Sequence, residues 1–253
     1  MGKRVFSIPT ELQSASAEEI LRWAIASFSD KFAIVTSFQT EGTVLVDIAA
    51  RISTKVRIVA IDTGRLPQET LGMTDVIRAR YGISTEIVSP DAAEIGAMVS
   101  LHGRDLFRES VPFRMLCCEL RKVRPLEKFL QGVDAWAVGL RREQSETRAN
   151  VPKVLSENGR LKIAPLADWT AQQVADYVRE HDVPRHPLYD RGYTSIGCDP
   201  CTRAVAPGEH ERAGRWWWEQ DADKECGIHF SADGKVKRTV DVLVEEVLSL
   251  RHA

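Results

Sequence analysis

Four short apolar runs recur along the first half of the chain with helix-patterned stretches between them. That alternation restricts the possible folds more than any other feature. The runs cover residues 32–36 (FAIVT), 56–61 (VRIVAI), 83–88 and 135–140 (AWAVGL). Helical spacing of apolar residues covers 43–52, 67–81, 91–101 and 114–130, and Ser16 with Glu19 forms a capping-box pattern opening a helix near 17–28. Strands separated by helices of this length build βαβ units and a mainly parallel sheet. Right-handed crossovers then place the loops after the strands on one edge, where ligands bind in open α/β sheets.

The second half is looser. Residues 162–166 read as one more strand and 170–181 as an amphipathic helix, whereas 183–215 carry four prolines and four glycines and read mostly as loop. Near the end, Val240, Leu243, Val244, Val247 and Leu248 share one helical face. The expected organisation is a Rossmann-like α/β domain over 1–182. A loop-rich C-terminal lobe over 183–253 follows it and is not an independent domain.

The charge balance is 34 Lys and Arg against 36 Asp and Glu, a net −2, which lacks the basic excess of a general nucleic-acid binder. No apolar run approaches the ~20 residues that span a bilayer. Two basic residues near Met1 have no apolar stretch behind them, so no signal peptide is expected and the expected compartment is the cytoplasm.

Five cysteines are arranged as the pair Cys117-Cys118, the CxxC of Cys198 and Cys201, and a lone Cys226. In a reducing compartment, clustered cysteines are more often metal ligands or nucleophiles than disulfides. Adjacent thiols on a helix point about 100° apart, which suits a cluster better than one small ion. Four thiolates accept a [4Fe–4S] cluster or a tetrahedral zinc, and redox or core cysteines are the third reading. Cys226, followed closely by His229, is either a nucleophile with a lowered pKa or an inert buried thiol.

Several segments could hold an anion. Thr36-Ser37-Phe38-Gln39-Thr40-Glu41-Gly42 joins a strand to a helix and could aim backbone N–H groups at one. It lacks a Walker A pattern and consecutive glycines, so a plain polar turn is the alternative. Asp62, ending the second strand in Asp62-Thr63-Gly64-Arg65, could bind a sugar hydroxyl or cap a helix. Arg141, Arg142 and Arg148 follow the fourth strand and form an oxyanion grip or a solvated basic loop. Arg212 and Arg215 precede Trp216, Trp217 and Trp218, a patch suited to base stacking or to core packing.

Seven segments in order, SFQTEG at 37–42, DTGR at 62–65, CCELRKVRPL at 117–126, GLRREQSETR at 139–148, YTSIGCDPCTRAV at 193–205, GRWWWE at 214–219 and ECGIH at 225–229, resemble the phosphoadenylyl-sulfate reductase family. The resemblance is to its assimilatory branch that reduces adenylyl sulfate. It implies an adenine-nucleotide α-hydrolase-like (PP-loop) fold. It also implies a two-step reaction in which the Cys226 thiolate attacks adenosine 5′-phosphosulfate, expels AMP and becomes an S-sulfocysteine. Reduced thioredoxin then releases sulfite.

By the motif match, Lys122, Arg142, Arg212 and Arg215 would hold the phosphosulfate. Ser37, Phe38, Gln39, Glu41 and Gly42 would hold the nucleotide with Asp62 and Thr63, and His229 would assist the thiolate or product release. Cys117, Cys118, Cys198 and Cys201 would carry a [4Fe–4S] cluster with an electrostatic and structural role. Cluster-bearing members resemble the users of adenylyl sulfate, some accepting the 3′-phosphorylated form as well. Two features depart from the family pattern: Gln39 stands where a smaller residue is expected, and 24 residues follow His229. That tail is expected to pin the Cys226 segment, to pack elsewhere or to pack on a second copy. The competing readings are an ATP-dependent tRNA-thiolating PP-loop enzyme, whose SGGxDS-type loop is missing here, and an iron–sulfur redox sensor.

Overall fold

The computed structural model describes residues 6–219 and 234–250. It contains a six-stranded sheet in the order β3-β2-β1-β4-β6-β5. The strands are β1 (Phe32–Val35), β2 (Arg57–Ile61), β3 (Thr85–Val88), β4 (Ala135–Ala137), β5 (Val154–Glu157) and β6 (Arg160–Ile163). β1 pairs in parallel with β2 and β4, and β4 in parallel with β6, so Ile34 lies between Ile58 and Ala137. These central residues are fully buried. Burial on both faces is why their sequences are unbroken apolar runs rather than alternating ones. The mainly parallel α/β class is therefore as expected.

The helices are α1 (Ala17–Phe28), α2 (Thr40–Ile52), α3 (Gln68–Tyr81), α4 (Ala92–His102), α5 (Val111–Cys118), α6 (Arg124–Leu130), α7 (Ala171–His181) and α8 (Gly234–Leu250). The capping box opening α1 is formed: Ser16 Oγ accepts from the Glu19 amide, and the Glu19 carboxylate accepts from the Ser16 amide. Two elements differ from expectation. The single strand expected over 162–166 is the second arm of an antiparallel hairpin, β5–β6. Its two-residue turn is Asn158-Gly159, both at positive φ (52° and 75°), the conformation that the Asn-Gly pair favours. The single helix expected over 114–130 is interrupted: a π-helical segment, Glu119–Val123, separates α5 from α6 directly after the cysteine pair. Such segments widen a helix by one residue and occur often at functional sites.

The chain forms two compact units interleaved in sequence. The first comprises Met1–Ala60, Gln68–Ile87 and Phe129–Tyr189 and is built on the sheet. Its core joins Ile20 and Leu21 of α1, Leu45 and Ile48 of α2 and Ile77 of α3 to the sheet residues Ile34, Ile58 and Ile163. A buried carboxylate, Asp47, accepts from Tyr177 Oη at 2.7 Å, Tyr81 Oη at 3.0 Å and Arg51 Nε at 2.7 Å.

The second unit comprises Ile61–Pro67, Val88–Lys128 and Asp190–Ala253. Its separate apolar core contains Met98, Leu106, Phe107, Leu116, Leu120, Trp216 and Val247. α8 packs on α4 and α5, with the face expected from its sequence turned inward: Val240 and Val247 are buried and Leu243 and Val244 pack against this core.

Candidate functional site

The second unit gathers the four paired cysteines. Cys117 and Cys201 belong to its core, and Cys198 packs against them. Cys117 and Cys118 end α5, and Cys198 and Cys201 flank a short 3-10 turn, Asp199–Cys201. Pro200 fixes that turn, and the Asp199 amide donates to the Arg65 carbonyl at 2.8 Å, tying the CxxC to the DTGR segment. Thr63, expected at the nucleotide, is only 2% exposed, and its Oγ1 lies 3.2 Å from Cys198 Sγ. The same Oγ1 accepts from the Arg65 amide, which leaves its hydrogen to point at the sulfur when Cys198 is a thiolate. Asp62 accepts from the Gly64 amide at 2.8 Å and so shapes this loop.

Burial pushes the Cys117 thiol up, and Arg121 opposes the shift. Burial, Cys198 and Cys117 push Cys201 up to about 12, against the pull of Arg215 and Arg65. Both thiols are therefore neutral at neutral pH, and a bound cation would have to displace their protons.

The surroundings are cationic. Arg121 and Arg215 are each 8% exposed, and neither has a carboxylate partner among the described residues. Arg121 donates to the Thr63 carbonyl at 2.8 Å and Arg215 to Ser195 Oγ at 3.3 Å, while the Nε of each has no partner. A buried charge without a counter-charge is costly, and among the described residues neither of these two has one, so an anionic neighbour would offset their burial. Four thiolates around either an iron–sulfur core or a zinc ion form a doubly negative group and meet that need. Among the described residues, no three His, Cys, Asp or Glu side chains are placed to hold a single metal ion. Tetrahedral zinc, with Zn–S distances of ~2.3 Å, draws its sulfurs close together, whereas a cubane spreads them over separate corners. The helix-end pair and the CxxC turn supply the donor set of either group.

The tryptophans separate in role. Trp216 is buried in the cysteine unit's core, with the guanidinium carbons of Arg114 and Arg215 4.4 and 4.6 Å from its ring centroid. Trp217 is 37% exposed, and Trp218 packs on Phe107 at 5.8 Å. Arg114, 2% exposed, donates from Nε to Glu219 at 2.5 Å. Glu219 on one side of the interval 220–233 and α8 on the other are thus both fixed within this unit. Cys226 and His229 lie outside the described residues. Lys122 is half-buried on the π-helical segment, and Arg212 is half-buried beside Arg215.

The first unit holds the other segments expected to bind substrate. Ser37 is exposed and accepts from Gln39 Nε2 at 3.1 Å. The Phe38 side chain is core, and its amide donates to Thr36 Oγ1 at 2.9 Å, with φ at +57°. Gln39 is the extended residue that opens α2, and the Thr40 amide donates to Tyr189 Oη at 3.2 Å. Glu41 is committed to Arg141, Nε to Oε1 at 2.8 Å, and Gly42 is buried against Thr36. Arg142 donates to the Val151 carbonyl at 3.0 Å.

The sequence reading did not single out Arg121, Arg114 or Tyr189. Arg121 carried a signal, standing four residues after Cys117 and so able to meet it along a helix. The other two depend on contacts far apart in sequence.

The chain is similar to several known proteins. An adenosine 5′-phosphosulfate reductase of Allochromatium vinosum is 45% identical over 225 residues, covering 88% of this chain and 87% of its own. One from Burkholderia cepacia is 46% identical over 204 residues, covering 80% and 82%. The crystal structure of phosphoadenylyl-sulfate reductase from Candida auris, a phosphate complex, matches with a TM-score of 0.65 at 29% identity, covering 79% of this chain and 99% of that one. An FMN adenylyltransferase from Candida glabrata shares the fold alone, with a TM-score of 0.53 at 14% identity. Residues 31–204 match the phosphoadenosine phosphosulfate reductase domain, so the chain is an enzyme that belongs to that family.

Proposed function

We propose that this enzyme reduces adenosine 5′-phosphosulfate to sulfite and AMP in the cytoplasm, with reduced thioredoxin as electron donor. The observation that supports this most directly is the cysteine unit, in which two buried guanidiniums with no carboxylate partner among the described residues lie among thiols that burial keeps neutral. That environment suits a [4Fe–4S] cluster on Cys117, Cys118, Cys198 and Cys201, the feature that marks the users of adenylyl sulfate. When bound, the cluster supplies fixed charge and a rigid scaffold, since thioredoxin supplies both electrons.

The Cys226 thiolate attacks the sulfur of the sulfate moiety. A Cys226 S–S bond forms, the S–O bond to phosphate breaks, and AMP leaves with the electron pair. Lys122, Arg142, Arg212 and Arg215 hold the charge that develops on the phosphosulfate. Ser37, Phe38, Gln39, Glu41, Gly42 and Asp62 orient the nucleotide, Phe38 and Glu41 by shaping the loop, while Thr63 serves Cys198. His229 assists thiolate formation or product release. A thioredoxin thiolate then attacks Cys226 Sγ, sulfite departs with the S–S pair, and the second thioredoxin thiol closes a disulfide.

Intact-protein mass tests the reading. Anaerobically purified protein incubated with adenylyl sulfate, without thioredoxin, is expected to gain one SO₃ group. Thioredoxin removes it, and Cys226→Ser never acquires it. No adduct on protein shown to hold iron and sulfide overturns the mechanism. A second reading, use of the 3′-phosphorylated substrate, is favoured by the likeness to the Candida auris enzyme. A faster adduct from that nucleotide would establish it. ATP cleavage to pyrophosphate with tRNA would instead support a thiolating enzyme.

A further inference from the structure

α8 follows the ECGIH motif in sequence and belongs to the cysteine unit. Val247 is fully buried in the same apolar core as Cys117, Cys201, Leu116 and Trp216, and Leu243 and Val244 pack against that core. α8 lies on α5, which carries both Cys117 and Cys118, and on α4, where His102 Nε2 is 3.9 Å from Glu246 Oε2. The opposite side of the helix is open: Val242 is 64% exposed.

We propose that α8 is the wall that separates the cluster cysteines from solvent, and that its buried face sets how long a cluster on them survives. Iron–sulfur centres and their thiolates respond to solvent access, so an apolar helix packed on the element that carries two ligands, and sharing the core of Cys117 and Cys201, slows entry of water, oxygen and chelators. The inference rests on the cluster reading of these cysteines. It does not depend on the reaction at Cys226.

Two aspartate substitutions on one helix provide the test. Val247→Asp puts a charge on the covered face, and Val242→Asp puts the same charge on the open face. Holoprotein is followed by loss of its visible iron–sulfur absorbance in air and under a chelator. Metal-free protein is followed by the labelling rates of Cys117 and Cys201, read by peptide mass. Circular dichroism confirms that each variant is folded at the assay temperature. Val247→Asp is expected to speed cluster loss and labelling at least tenfold, and Val242→Asp to leave both unchanged. If Val247→Asp does not fold, Val247→Ala is expected to speed both several-fold. Equal rates for wild type and the Val247 variants overturn the proposal, as does equal acceleration by Val242→Asp. Wild type without iron or sulfide would overturn the cluster reading separately, and thiol labelling would still decide whether α8 is the wall.

Discussion

Gly139→Ala should be among the most damaging single-atom changes in the sheet-bearing unit. A Cβ at Gly139 would lie 2.8 Å from Glu41 Cβ and 2.9 Å from both the Glu41 carbonyl carbon and the Gly42 nitrogen. Carbon contacts are optimal at ~3.5–4.0 Å, so the segment after β4 and the start of α2 must separate by roughly 0.7 Å. Two of the three atoms are backbone, and α2 cannot retreat, because Val44, Leu45 and Val46 are fully buried. The shift also stretches the Arg141–Glu41 pair, whose Arg141 side chain is 5% exposed. Overpacking costs ~1–3 kcal/mol, and these constraints place the change near the top, about 3 kcal/mol. At ~2–4 °C per kcal/mol for a chain of this size, the melting temperature should fall by about 6–12 °C. Gly72→Ala is the control. It lies exposed in α3 with nothing within 4 Å of the added Cβ, and should stabilise by ~0.5–1 kcal/mol through helix propensity. Urea unfolding by far-UV circular dichroism measures both, and the KM for adenylyl sulfate should rise in Gly139→Ala alone. If Gly139→Ala unfolds within about 0.5 kcal/mol of wild type, the close approach between these two segments is wrong.

Two further outcomes follow from buried polar groups in the same unit. His186 is buried, with Nδ1 accepting from the Leu188 amide at 3.2 Å and Nε2 2.9 Å from Thr70 Oγ1, and burial lowers its pKa. Below its ordinary value of ~6.5 the unfolded chain takes up a proton that the fold refuses. Stability present at neutral pH is therefore lost as pH falls, by at most ~1.4 kcal/mol per unit. His186→Gln should flatten that slope in urea midpoints between neutral and mildly acidic pH, and an unchanged slope would contradict the assignment. Asp47→Ala leaves two tyrosine hydroxyls without their acceptor and should cost about 3 kcal/mol. Burial and then Asp47 hold Tyr81 above its usual range, and burial, then hydrogen bonding to Asp47, does the same for Tyr177. Ultraviolet titration of Asp47→Ala should therefore show both ionising at lower pH than in wild type.

The central strands β1, β2 and β4 were legible because burial on both faces leaves an unbroken apolar word in the sequence. β5 was not, because only Val154 of its four residues is buried, whereas Leu155 is 41% exposed and Ser156 and Glu157 are exposed. Its one strong signal was the Asn158-Gly159 turn, a backbone requirement rather than a hydrophobic one. The π-helical segment left no mark in the periodicity, since an extra residue in one turn shifts the apolar pattern by less than the scatter of a real helix.

The candidate site divides in the same way. Residue types drew attention to the cysteines, because a thiol pair together with a CxxC is a metal-ligand pattern. The partners of those thiols were hidden. Arg65, Arg121 and Arg215 lie far apart in sequence, and a chain with a net charge of −2 gives no hint that it concentrates cations around its thiols. Thr63 shows the same limit at one residue. In sequence it is a polar loop residue after a strand, equally suited to a nucleotide or a sulfur, and no local pattern announces its 3.2 Å approach to Cys198. Burying two guanidiniums beside neutral thiols is unfavourable in the metal-free protein and favourable once those thiols are ionised by a bound group. On the proposed cluster reading, the same charges would therefore link insertion of the group to the stability of this unit.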